Sequence, residues 1–172
     1  MSRPYLPAAD GDSSETVDLA HAVRRLRIYS DPLQHASLAA MVVAPLAART
    51  DRRILRTALV AALAIDVDHV VAARSARPRD ITGLPVRPRT HSLATAAAVG
   101  CVVWAAGGPE HGWSAFAALG SHLLHDAGDG AAPTPVLWPR RPARQLGRRV
   151  QIAGTVVLTT VSAAAGIYAS RA

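Results

Sequence analysis

His122 and Asp126 stand four residues apart, His122 and His125 three apart, and Asp66 and His69 three apart. On an α-helix such spacings put both side chains on one face, so each pair aims two donor groups at one point. Imidazole nitrogen together with carboxylate oxygen suits Zn²⁺, with Mn²⁺ or Fe²⁺ as alternatives, better than an ion that demands thiolate. Asp68 lies about 200° round an ideal helix from Asp66, so the two need not touch one ion. His35 and His91 stand elsewhere in the chain. The single Cys101 sits in an apolar run, can form no intrachain disulfide and reads as packing.

These groups need elements to carry them. Half of the 172 residues are hydrophobic but only 4% are aromatic, and Ala, the best helix former, fills the apolar runs. The chain is one domain by length. Its 19 basic and 12 acidic residues are gathered in short runs between charge-free stretches, the pattern of apolar spans joined by charged loops. All the basic residues are Arg, which reads as codon usage rather than chemistry.

The expected fold is therefore all-α, a multi-pass membrane bundle of about five helices. Residues 1–32 form a polar lead-in with a short basic helix over 19–30, and no secretory signal is evident there. Asp31-Pro32 reads as the start of the next helix, Asp capping and Pro in the first turn. Helices are expected at about 33–48, 54–73, 91–106, 113–126 and 150–169. The fifth, 20 residues long without charge, spans about 30 Å, the thickness of a hydrocarbon core. A soluble bundle of buried helices is the competing reading, and the number of charge-free runs in so short a chain favours the membrane.

Drawn as alternating up and down strokes, as short loops require, these helices bring His35, Asp66, Asp68, His69, His91, His122, His125 and Asp126 to one end. Ionisable groups in apolar spans are costly and tend to face a partner, a cavity or an ion. Taken singly, His69 or His125 reads equally well as a helix-end residue. His111, beside Glu110 on the opposite turn, reads as a loop residue, and Asp129 as a loop cap. Ser92 and Ser121 each adjoin a His, but without a base and an oxyanion site they read as helix hydrogen-bonders.

Four segments now define a pattern: His35; Asp66-Val67-Asp68-His69; Arg89-Thr90-His91-Ser92; and Ser121-His122-Leu123-Leu124-His125-Asp126, followed by Pro135-Val136-Leu137-Trp138-Pro139. In order and spacing the chain resembles the YdjM/DUF457 family of membrane-bound metal-dependent hydrolases over about residues 33–140. The resemblance implies a multi-helix membrane protein with His and Asp metal ligands. The His-x-x-x-Asp element also looks like that of zinc-dependent phospholipase C and related nucleases, which suggests phosphoester chemistry. The Ala- and Gly-rich loop 127–134 departs from what an enzyme needs, supplying no clear polar contact for a substrate.

The leading expectation is metal-assisted hydrolysis of a phosphorylated or ester-containing lipid at the membrane surface, with the ion on His35, Asp68, His91, His122 and Asp126. Asp66 or His69 would serve as general base or as an orienting partner, and Arg89 would pair with a phosphate or hold a juxtamembrane place. The alternative is a non-catalytic membrane protein with a structural or transported ion. The net charge of +7 raises nucleic acid as a partner, but no aromatic platform accompanies the Arg loops, and membrane lipids are the expected partner instead. Thirteen Arg fall on the motif side (Arg24, Arg25, Arg27, five in 74–90 and five in 140–149) against Arg49, Arg52, Arg53 and Arg171 on the other. The positive-inside rule then predicts a cytoplasmic N-terminus and metal site in an inner-membrane protein.

Overall fold

The computed structural model describes residues 13–128 and 132–171, so the residues 1–12 of the expected lead-in, and Asp129, lie outside the described part. Seven helices follow in order: α1 (Ser13–Ala47), α2 (Arg53–Ala64), α3 (Val67–Ala73), α4 (Pro78–Thr82), α5 (Leu93–Gly107), α6 (Pro109–Gly128) and α7 (Arg148–Ala169). Among the described residues the only bridge between extended segments is an isolated antiparallel pairing of Thr134 with Arg144. The all-α class expected from the sequence is the one observed.

α6 is the axis of the bundle and packs against α1, α2, α5 and α7. Its sequence explains why: Gly112, Ser114, Ala115, Ala117, Ala118, Gly120 and Ser121 are all small, and all are buried. Small side chains let neighbouring backbones approach, so dispersion contacts rather than bulky interdigitation hold the helices together. The closest approach is to α5, where a Cβ on Gly112 would lie 2.5 Å from the Trp104 Cβ and 2.8 Å from the Gly100 carbonyl oxygen. The α5–α6 turn is closed by Gly108, at φ 93°, whose N–H reaches the Trp104 carbonyl, with Pro109 opening α6, where its missing N–H costs nothing. On α2 a single stripe, Ile54, Ala58 and Ala62, is buried, four residues apart as one helix face demands.

α7 has the opposite polarity to a water-soluble helix. Its buried positions are Thr155, Ser162 and Gly166, and Ser162 accepts the Trp113 indole N–H at 3.0 Å. Ile152, Val156, Val157 and Val161 point outward and are exposed. Among the described residues α7 alone is long and apolar enough to cross a membrane, with mean hydropathy 1.6. α5 is apolar but shorter, 15 residues.

Three expectations about elements need correction. α1 does not begin at Asp31-Pro32; it runs through them from Ser13, with Pro32 and Pro45 inside it. Pro32 forfeits one intrahelical hydrogen bond, and the continuous helix keeps Asp31 one turn from His35 on the same face. The expected helix 54–73 is broken after Ala64, resumes at Val67 and stops at Arg74, which adopts φ 49°. The expected loop 74–90 contains α4, with Pro78 in its first turn and Ser75 donating to the Asp80 carboxylate at 2.7 Å. Cys101, read as packing, is exposed on α5, because only Ala96 and Gly100 of that helix are buried.

The Gly112 contact yields a direct test. Gly112→Ala places a methyl group against backbone and Cβ atoms that cannot swing aside, and is expected to cost roughly 1–3 kcal/mol. Thermal unfolding of the detergent-purified protein should register a drop of several degrees; an unchanged midpoint would mean that α5 and α6 are not held so closely.

Candidate metal centre

The site gathers where α6 ends. α1 supplies Asp31 and His35, the break between α2 and α3 supplies Asp66, and α3 supplies Asp68 and His69. The segment before α5 brings Arg87, Thr90 and His91, while α6 brings His122, His125 and Asp126. The segment before α5 is fixed from outside by the loop after α6: the Arg87 N–H donates to the Pro133 carbonyl at 3.1 Å and the Leu93 N–H to the Val136 carbonyl at 2.9 Å. Ser92 caps α5, its hydroxyl accepting the Thr95 N–H at 3.3 Å.

Four donor atoms converge at the centre. His122 Nε2 lies 3.3 Å from Asp66 Oδ1 and 3.3 Å from Asp126 Oδ2, and His91 Nε2 lies 3.6 Å and 3.4 Å from the same two atoms. Ligands about 2.0–2.1 Å from a tetrahedral ion stand about 3.3 Å from one another. His91, His122 and Asp126 are fully buried, yet His91 Nε2, His122 Nε2 and Asp126 Oδ2 lack hydrogen-bond partners. Buried polar atoms are almost always satisfied, so orphaned imidazole nitrogens facing two carboxylates at about the separation of ligands on one ion fit a divalent cation.

His91 is held between two carboxylates. Asp68 Oδ2 takes its Nδ1 side at 3.0 Å while Asp66 faces its Nε2, and the Thr90 hydroxyl also donates to Asp68 Oδ2. A carboxylate on Nδ1–H fixes the tautomer that leaves Nε2 free to bind. His69 is engaged at both nitrogens: Nδ1 lies 3.1 Å from Asp68 and Nε2 is 3.1 Å from the Arg87 guanidinium. Arg87 also grips Asp126 Oδ1 at 3.0 Å. Burial pushes the Asp66 carboxyl up, but the imidazoles of His122 and His91 outweigh it and hold the group well below the usual range. Burial likewise opposes ionisation of Asp68, and His69, His91 and Thr90 override it. Burial pushes His91 down, and the Asp66 and Asp68 carboxylates more than compensate, raising it.

On the α1 side a second group forms. Asp31 Oδ1 lies 3.7 Å from both His35 Nε2 and His125 Nε2, and His35 Nε2 lies 3.6 Å from Asp126 Oδ1. The His35 ring stacks on His122, centroids 3.6 Å apart, and neither of its nitrogens has a hydrogen-bond partner. His125 turns Nδ1 toward the Gln151 amide of α7 at 3.0 Å. A cleft of about 450 Å³ between α1 and α7, walled partly by His125, Gln151, Leu33 and Met41, reaches this group.

Of the residues singled out in the sequence, His35, Asp66, Asp68, His69, His91, His122 and Asp126 are brought together. Arg89 is not: it is exposed, its guanidinium 6.0 Å from the centre of the Trp138 ring. His111 lies at the far end of α6 and is hydrogen-bonded to Thr57 at 2.8 Å, and Ser121 donates to the Ala118 carbonyl at 2.8 Å. Asp31, Arg87, Thr90 and Gln151 were not anticipated. The first was legible as the i, i+4 partner of His35; Arg87, Thr90 and Gln151 carry no spacing signal.

Asp68→Asn tests the orienting contact, because it keeps the shape and weakens the hold on His91. Outer-shell losses of this kind cost about 10–100-fold in metal affinity, and a competitive chelator titration should find Zn²⁺ weakened by that range but still bound, whereas His122→Ala should abolish tight binding.

Neither the curated proteins nor the solved structures contain a match to this chain. Residues 31–171, a stretch beginning at the first of the clustered carboxylates, match the family model described as YdjM inner membrane protein, and the chain belongs to that family.

Proposed function

We propose that this protein is a metal-dependent hydrolase of the inner-membrane surface, cleaving a phosphoester or ester of a lipid-like substrate. Family membership and the clustered His and Asp residues support a metal-binding, hydrolase-like function in general terms; the substrate class and the roles below are our reading. The observation that carries it is the convergence of the Asp66 and Asp126 carboxylates on the buried, unpartnered Nε2 atoms of His91 and His122, at 3.3–3.6 Å.

A divalent ion there, with Zn²⁺ preferred for its nitrogen and oxygen donors, supplies Lewis acidity and a nucleophile from water at neutral pH. Asp66 and Asp126 provide the negative charge that retains it, and Asp68 orients His91. His69, with both nitrogens engaged, keeps Asp68 and Arg87 in register rather than accepting a proton from water. Arg87 is the guanidinium at the ligand carboxylate; Arg89, out beside Trp138, is placed to meet an anionic headgroup at the surface. Asp66 and Asp31 keep about a third of their side-chain surface exposed, 33% and 35%, so the centre is open to a reactant. Leu33, Leu38 and Met41 on the cleft wall suit an apolar chain.

Association with the inner membrane is supported by the family and by the length and hydropathy of α7. The outward Val and Ile of α7, with Val102 and Trp104 of α5, make faces that suit lipid better than water. We extend this to several spans, with the metal centre and N-terminus cytoplasmic because the Arg-rich segments share that end. A Gly83→Cys variant in a Cys101→Ser background should resist an impermeant thiol reagent in intact cells and react once the membrane is opened; labelling of intact cells would reverse the orientation.

The complete burial of His91, His122 and Asp126 favours a second reading, an ion that is structural or carried. Turnover separates the two. The purified protein should hold Zn²⁺ and hydrolyse a lipid phosphoester or ester in a substrate screen. His122→Ala/Asp126→Ala should lose both the metal and at least 100-fold in rate. Metal without turnover on any ester would favour the structural ion, and failure to retain metal supplied in excess would remove both readings.

A further inference from the structure

Asp126 presents its two oxygens to two different sets of ligands. Oδ2 faces His91 and His122, at 3.4 Å and 3.3 Å, whereas Oδ1 faces His35 at 3.6 Å and shares its other side with the Arg87 guanidinium at 3.0 Å. Beyond His35 stand Asp31 and His125, with Asp31 Oδ1 3.7 Å from each ring's Nε2. These spacings are slightly wider than those of the central set and repeat its composition of imidazole and carboxylate. The imidazole that joins the two sets, His35, is only 1% exposed and has no hydrogen-bond partner at either nitrogen. A buried ring in that condition pays a desolvation cost without return unless something else binds it.

We propose that a second divalent cation binds Asp31, His35 and His125, with Asp126 bridging it to the central ion through Oδ1. This rests on the hydrolase reading of the central site and deepens it. Gln151 stands behind His125, its amide nitrogen 3.0 Å from Nδ1; with the amide's O and N exchanged, Oε1 accepts the hydrogen bond of Nδ1–H, which leaves Nε2 for the cation. Gly128 makes room for this side chain: a Cβ there would come within 2.7 Å of the Gln151 Cβ. The second cation lies on the side of the cleft between α1 and α7. A pair of cations about 3.5–4 Å apart stabilises both the attacking and the leaving oxygen in phosphoryl displacement, which suits a phosphoester.

The test is metal stoichiometry of the full-length, detergent-purified protein loaded with Zn²⁺ and passed through a desalting column, by elemental analysis. Two Zn²⁺ per chain are expected in the parent, one in Asp31→Asn and one in His125→Ala, with helical content unchanged by circular dichroism. Loading with Mn²⁺ gives an independent readout. The parent should show the electron paramagnetic resonance spectrum of an exchange-coupled pair, and Asp31→Asn that of an isolated ion. One Zn²⁺ per chain in the parent, unaffected by Asp31→Asn, would overturn the second site and leave the central one standing. Absence of Zn²⁺ from the parent would overturn both, and two ions without coupling would overturn the bridge.

Discussion

A carboxylate sealed from solvent has to be neutralised by what surrounds it, and Asp126 is sealed completely. An ion of that size loses several kcal/mol of solvation on burial even after the protein relaxes. One guanidinium, Arg87, answers part of that cost at 3.0 Å; the remaining neighbours are imidazoles, which can share a cation as readily as donate a proton. The arrangement of the helix ends follows from this requirement. α6 must deliver Asp126 and His122 to a point that α1, the α2–α3 break and the segment before α5 can all reach, and the small residues along α6 let them come close enough.

The division of labour along α6 is correspondingly sharp. Its first half is a packing surface of Gly, Ala and Ser against α5 and α2, and its last turns carry the chemistry. The loop that follows bends back and hydrogen-bonds to the residues on either side of His91, so the Pro135–Pro139 element supports the site without contributing a ligand to it. What looked in the sequence like a loop short of substrate contacts is, at least in its described part, a brace.

Much of this was readable from order alone. Antiparallel helices with short turns force alternate ends together, and that order alone brings His35, Asp66, His91, His122 and Asp126 to one end. The limits are equally physical. The run from Ile54 to Ala73 contains no Gly or Pro, so nothing local announces the break at Ile65–Asp66; tertiary demand for Asp66 and Asp68 on opposite nitrogens of one ring overrides propensity. Asp31-Pro32 carries a strong start signal, yet the helix runs through it, and Asp31 faces His35 from one turn away. Arg87 and Arg89 are indistinguishable in a basic loop, and only the backbone bond from Arg87 to Pro133 decides which one turns inward.

Arg87 touches both Asp126 and His69, and it is covalently part of the chain, so its charge is present from the moment the helices assemble. It therefore acts as a resident counterion that lets the bundle close around Asp126 before any metal is captured. The same contact sets an upper bound on how tightly an arriving cation can be held, since the cation must share the carboxylate with a competitor that never dissociates.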